Sequence, residues 1–249
     1  MIKPRILTVT ASRVHDDPGV DALVCETRAQ VDAFIFLSGG ASGMSAEAER
    51  ALLRLFEALA ILAEEGLRFA VADGGTAAGI MQAAGRARAG SAHAFPLVGV
   101  SPAREIPPRG TTPVDSNHTT IVAVENQDWN DARGFFGSET VAMYQIFDRL
   151  AQGKPSVTVV ANGGEITLAE IDHNIRAGRP MILVSGSGRA ADTLVSMLNP
   201  VPLVDSETAK LRAKAEALNL LRQPRLLHVF DMARGPGEFA NALRPFLSP

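Results

Sequence analysis

The residues with the clearest chemical reading lie in four short turns: Ser38-Gly39-Gly40, Asp73-Gly74-Gly75, Asn162-Gly163-Gly164 and Ser185-Gly186-Ser187-Gly188. Each follows an apolar run and precedes a segment with helical spacing. A turn of small residues that opens a helix directs several backbone N–H groups at one point, where the helix dipole adds roughly half a positive charge. The fourth turn is followed by Arg189, which adds a full one. The chemistry this suits is anion binding, and a phosphate is the natural anion. Glycine also has a purely steric use in such turns, and Gly74, Gly79 and Gly85 could simply let a helix approach a sheet. Repetition at four places is what favours a ligand.

Other candidates are weaker. No Gly-x-x-x-x-Gly-Lys-Ser/Thr P-loop occurs, and Gly74 to Gly79 (GGTAAG) lacks the Gly-x-Gly-x-x-Gly spacing of a standard dinucleotide fold. Asn117 and His118 precede an apolar run, so they either satisfy a local turn or hydrogen-bond a ribose or phosphate. Asp115 with His118 gives two metal ligands and no third at a suitable spacing, so no metal is expected. Asp172-His173 falls on a helix and reads as a solvated face. Trp129 sits in a polar segment, where it either closes over a base or anchors on the surface. No nucleophile–base pair stands out, so spacing alone leaves the catalytic residues unknown.

The elements that would position these turns alternate along the chain. A strand at Ile6–Thr10 is followed by a turn-prone segment around Asp16–Gly19; it reads as an edge strand, or as an arm that could join a second subunit. From Ala33 the pattern becomes strand, glycine turn, helix. The expected strands start at Ala33, Arg68 and Ser156, each running into its glycine turn, and cover 95–103, 119–124 and 181–184. Helices are expected over 46–66, from the Gly74-Gly75 turn to about Gly90, over 138–152, from the Gly163-Gly164 turn to about Gly178 and from Arg189. A helix at 206–222, a strand at 226–230 and a helix near 237–247 complete the chain. Strands that are near-continuous apolar runs between helices argue a doubly wound α/β fold with a Rossmann-like parallel sheet. Residues 1–30 read as an N-terminal extension, 31–200 as the binding core and 201–249 as a helix-strand-helix extension packed on the same domain. In a parallel sheet all four turns fall at the carboxyl ends of the strands, where ligands of such folds bind.

Composition excludes several classes. The 249 residues carry 24 basic and 27 acidic side chains, a net charge of −3, so there is no electrostatic footprint for nucleic acid or an anionic membrane. Aromatic residues are only 5%, too few for a stacking platform for single strands. Cys25 is the only cysteine, which rules out a disulfide framework and a thiolate metal site. The amino-terminal stretch is broken by Pro4, Arg5 and Arg13 and has no apolar core of a signal peptide, and no apolar run approaches the ~20 residues of a membrane span. A cytoplasmic protein is expected.

Two resemblances follow from the motifs. DGGTAAGIMQAAGRA (73–87), LVGVSP (97–102) and NGGEITLAE (162–170) are similar to the glycine blocks of the LOG-like nucleotide phosphoribohydrolases. There Gly163, Gly164, Thr167 and Glu170 fall in register, with Asn162 in place of a proline and Ile166 in place of a glycine. A second resemblance covers more of the chain, from about Ala33 to Leu198. VDSNHTTIVAVEN (114–126), Gly137-Ser138-Glu139, VVANGGEITL (159–168) and MILVSGSGRAADTL (181–194) follow the order of the SLOG module of TRPM cation channels and its stand-alone prokaryotic relatives.

These resemblances imply a nucleotide-sensing Rossmann-like domain with a ligand such as ADP-ribose or an NAD-like derivative, no further cofactor and no metal. Arg189 would face a diphosphate, with Gly186, Ser187 and Gly188 giving close backbone approach. Gly39, Gly40, Gly74, Gly75 and Thr76 match the other loop positions, as do Asn117 and His118. The basic residue that channel members carry after Gly-x-Glu falls here on Met143. The LOG resemblance implies instead an N-glycoside hydrolase in which Glu170 stabilises an oxocarbenium-like state. Its upstream arginine has no counterpart here: Arg149 lies on the right helix in the wrong context. Glu170 also reads as a first-turn acid favoured by the helix dipole. With one of two chemical residues missing, binding is preferred over turnover, and the enzyme question stays open. The partner expected is a small-molecule nucleotide, with a homo-oligomer allowed.

Overall fold

The apolar runs form eight strands: β1 (Arg5–Thr10), β2 (Ala33–Gly39), β3 (Phe69–Asp73), β4 (Leu97–Pro102), β5 (Thr120–Glu125), β6 (Ser156–Ala161), β7 (Met181–Ser185) and β8 (Leu227–Asp231). They make one sheet in the order β1-β5-β4-β3-β2-β6-β7-β8, and every neighbouring pair is parallel. This computed structural model describes residues 3–40, 44–125, 138–199 and 206–248. The expected loop from Gln127 to Phe136, with Trp129, and Gly137 lie outside the described residues.

β2 shows why the sheet is covered on both sides. Ala33, Ile35 and Leu37 enter one core cluster, and Phe34 and Phe36 enter the other. A strand has a side-chain period of 2, so a continuous apolar run has two faces to bury. Helices α2 (Ala46–Leu55), α3 (Glu57–Glu64), α4 (Gly79–Gly90) and α9 (Pro236–Leu243) supply the first cover. Helices α1 (Pro18–Gln30) and α5 (Ser138–Ala151) cover the other face over β2 to β5. There Phe36 stacks on Phe147 with ring centroids 4.6 Å apart. Helices α6 (Glu165–Arg176), α7 (Arg189–Leu198) and α8 (Ser206–Ala217) continue that cover over β6 and β7.

Two local expectations need correction. Residues 18–30 are helical, not merely turn-prone: Asp17 accepts from the N–H groups of Gly19 and Val20, and Pro18 occupies the first turn. Asp-Pro is a helix-start signal, and the weak apolar stripe that follows hides the helix it starts. The single helix expected over 46–66 is two, meeting at Phe56 (φ −72°, ψ −9°), whose buried ring packs on Phe239. Both flanking segments add strands to the same sheet, β1 at one edge and β8 at the other.

The order matters for function. From β2 the chain moves outward through β3, β4 and β5, then returns to place β6 on the other side of β2. Loops leaving β2 and β6 therefore diverge, and a crevice opens at the carboxyl ends between them.

Candidate functional site

A cavity of about 710 Å³ opens at that rim. Its polar wall is built by Gly39 and Gly40 after β2, Gly74 and Thr76 after β3, Gly164 to Thr167 at the start of α6, Glu170, and Arg189 at the start of α7. Leu37, Met81, Val100, Pro113 and Met143 supply apolar surface. Of the residues expected at a site, the cavity thus gathers Gly39, Gly40, Gly74, Thr76, Gly164, Thr167, Glu170 and Arg189. Gly75, Asn117, His118, Gly163, Gly186, Ser187 and Gly188 do not line it.

The amino termini of α4 and α6 both contribute to the wall, and neither is capped by a side chain of the described residues. Orphan N–H groups and the positive end of the dipole at an uncapped terminus favour an anion. Arg189 reinforces α6. Its Nη2 lies 3.2 Å from the point a Cβ on Gly164 would occupy, so the guanidinium rests over the first residue of the α6 turn. Arg189 reaches this place with φ +48°, a left-handed conformation that costs a residue with a side chain about 1–2 kcal/mol. Its Nε donates to Glu207 at 2.8 Å. The Thr76 hydroxyl oxygen is buried in the wall without a hydrogen-bond partner among the described residues.

The turn before α7 is arranged differently. The N–H groups of Gly186 and Gly188 donate to the two carboxylate oxygens of Asp192, at 2.8 and 2.9 Å. Ser187 Oγ donates to the Val184 carbonyl and accepts from the Asn162 N–H. The next amides, of Ala190 and Ala191, donate to Gly163 and Asn162 carbonyls. The chain thus supplies its own anion and acceptors here, and Arg189 is the part of this stretch that reaches the cavity.

Gly39 and Gly40 are needed for packing: a Cβ on Gly39 would run into the Ala161 carbonyl, and one on Gly40 would stand 2.9 Å from the Asn162 amide. Gly74 differs, because a Cβ there would meet nothing within 4 Å.

His118 braces the β3–α4 loop from behind. Its Nε2 is 2.8 Å from Asp73 Oδ1, and its Nδ1 is 3.6 Å from Asp115 Oδ1. Burial disfavours the imidazolium, but the two aspartates outweigh it and raise the pKa to about 9. Asp73 Oδ1 also accepts the Gly75 N–H at 2.7 Å, and the Asp115 N–H returns to the Gly75 carbonyl at 3.0 Å. Asp115 Oδ1 accepts the Asn117 N–H at 2.7 Å, and Arg88 donates to the Asn117 carbonyl. Asp115 and His118 thus form an ion pair, and among the described residues no group of three or more metal-ligating side chains occurs. Ser101 Oγ donates to the Gly74 carbonyl at 2.6 Å and completes the brace.

Glu170 is buried in the cavity floor, where it accepts a hydrogen bond from Ser38 Oγ. Tyr144 and Asn174 also stand behind Glu170; sequence reasoning missed both and read Ser38 only as part of its glycine turn. Asp172 and His173 are not a solvated face. Asp172 is buried and pairs with Arg176 and Arg222, both at 2.7 Å, and His173 pairs with Asp148 at 2.9 Å. Arg149 points away from the cavity toward Asp21 and the Val14 carbonyl.

No helix among the described residues is long and apolar enough to cross a membrane. No curated protein matches the chain. A family profile described as "SLOG in TRPM, prokaryote" matches residues 32–241, a span that includes every wall of the cavity. The chain belongs to this family, the prokaryotic form of the SLOG domain of TRPM proteins.

Proposed function

We propose that the chain binds a phosphate-bearing nucleotide derivative of the ADP-ribose or NAD type and acts as a sensor of it. The observation that carries this reading is the meeting of two uncapped helix termini and the Arg189 guanidinium at one cavity. Its 710 Å³ falls within the ~300–1,000 Å³ of small-molecule sites. Phosphate oxygens would take the α6 amides and Arg189, and a base would take the surface of Met81, Val100 and Met143. The test is a thermal-melting and calorimetric panel of ADP-ribose, NAD and AMP. A ligand at 100 times its Kd stabilises by about 2.7 kcal/mol, and Arg189→Ala should abolish the shift. Absence of any shift at millimolar ligand, or a shift that survives Arg189→Ala, defeats the reading.

A second reading has one observation in its favour, the buried Glu170 carboxylate in the cavity floor. A carboxylate beside a ribose could stabilise the oxocarbenium-like state of N-glycoside cleavage. Release of adenine and ribose 5-phosphate from AMP, lost in Glu170→Gln, would establish it. Ligand bound without turnover favours sensing.

A further inference from the structure

Two ion pairs join α8 to the wall of the cavity. Glu207 accepts from Arg189 Nε at 2.8 Å, and Lys214 Nζ lies 3.3 Å from Glu165 Oε2. Glu207 and Lys214 are seven residues apart, which puts them on one face of α8, two turns from each other. Leu211 and Ala215 are buried beside them, packed into the core cluster that holds Leu168 and Ile171 of α6 and Ala190 and Leu194 of α7. That apolar seam fixes α8, and the fixed helix presents an acid to Arg189 and a lysine to Glu165.

Glu165 stands where an anion site would least tolerate a carboxylate. It is the first residue of α6 and lines the cavity. The α6 hydrogen-bond ladder starts at Leu168, whose N–H donates to the Gly164 carbonyl at 3.2 Å, so the amides of Glu165, Ile166 and Thr167 precede it. The Arg189 guanidinium rests over Gly164, the residue just before. A carboxylate on a flexible stem has two destinations here. Turned inward it meets the start of α6 and Arg189, both of which favour negative charge. Turned outward it meets Lys214. The turn before α7 shows the inward outcome, with Asp192 seated on the Gly186 and Gly188 amides. At α6 the carboxylate takes the outward one.

We propose that Glu165 is a built-in competitor for the anion position and that Lys214 holds it off, so that α8 sets the affinity of the cavity for an anionic ligand. This rests on the reading of the cavity as a phosphate site. Lys214 is a positioning residue, since it acts through Glu165 and does not line the cavity. The pair is partly exposed, 67% at Glu165 and 36% at Lys214. A pair this exposed tilts a balance by roughly up to fivefold and does not act as an absolute lock. The coupling is reciprocal. An anion in the cavity excludes the inward carboxylate, favours the Glu165–Lys214 pair and so tightens the docking of α8 by the factor by which docked α8 tightens the anion.

Calorimetric titration of the full chain with ADP-ribose, at low ionic strength where exposed charges are least screened, tests the competition as a double-mutant cycle. Lys214→Met keeps the aliphatic stem and removes the charge. It should weaken binding about three- to fivefold, and Lys214→Arg should bind as the wild type does. In a Glu165→Gln background, Lys214→Met should leave affinity where Glu165→Gln alone puts it. A loss of equal size in both backgrounds means that the lysine acts on the ligand directly, and no loss with Glu165 in place means that nothing competes; either result overturns the proposal. A crystal structure of ligand-free Lys214→Met, or of Lys214→Gln if the first variant does not fold, supplies a readout without ligand. The Glu165 carboxylate should lie over Gly164, in contact with Arg189 or the α6 amides, and a carboxylate still turned outward overturns the proposal. Wild-type protein that binds no ADP-ribose defeats the reading of the cavity, and the position of Glu165 in that structure then decides the competition by itself.

Discussion

Substituting Gly74 by alanine separates a ligand-contacting glycine from a packing one. A Cβ built on Gly74 meets no atom of the described residues within 4 Å, its φ lies outside the left-handed region, and the residue lines the cavity. The folded state therefore tolerates the methyl, while the unfolded chain loses backbone freedom, so stability should be unchanged or rise by up to about 1 kcal/mol. A bound phosphate would meet that methyl directly. An extra methyl against a close-packed partner costs about 1–3 kcal/mol, which weakens binding roughly 5- to 140-fold at 1.4 kcal/mol per decade. Gly39→Ala is the control, because its Cβ would run into the Ala161 carbonyl, a backbone atom that cannot step aside. Melting of both ligand-free variants, followed by calorimetric titration with ADP-ribose, reads both quantities. A ligand-free Gly74→Ala that melts as low as Gly39→Ala, or one that binds ADP-ribose as tightly as the wild type, would refute the reasoning.

Three further substitutions probe the surroundings. His118 has a folded pKa of about 9, above its unfolded 6.5, so its contribution is complete below pH 6.5 and lost as pH rises through 9. Stability should fall across that window by an amount on the order of 3 kcal/mol, and a slope that persists in His118→Gln would contradict the brace. Arg189→Gly should abolish ADP-ribose binding, the same outcome expected of Arg189→Ala, yet fold more stably than the alanine variant by about 1 kcal/mol, because only glycine relieves the strain of φ +48°. Equal melting of the two would show that the backbone there holds no strain. Asp192→Ala strips the Gly186 and Gly188 amides of their acceptor and should cost about 1–3 kcal/mol while ADP-ribose affinity stays within a few-fold. Unchanged stability with a large loss of affinity would return those amides to the ligand.

Those amides show how far glycine motifs can be read. Strand–turn–helix repetition was enough to place the sheet, its parallel sense and the rim at which the turns gather. It could not say whether the N–H groups of a turn are open. In the turn before α7, the acceptor is Asp192 in the first turn of the same helix, which wraps back onto Gly186 and Gly188. In the turn before α6, the first-turn acid is Glu165, and its carboxylate goes outward to Lys214 at 3.3 Å. Both turns carry glycine followed by an acid, and only the direction of that acid separates a closed anion site from an open one. Direction depends on α8, which brings Lys214 to Glu165 and Glu207 to Arg189 from more than fifteen residues further along the chain. The same holds for His118, whose role is set by Asp73 on a different strand. Tyr144 was hidden for the opposite reason, since a polar atom inside an apolar run is legible only once its partner Asn174 on α6 is known, and Ser38, visible in its glycine turn, gave no sign of its partner Glu170. The local pattern therefore locates the rim at which the turns gather, and long-range ion pairing decides which of those turns keeps its amides open.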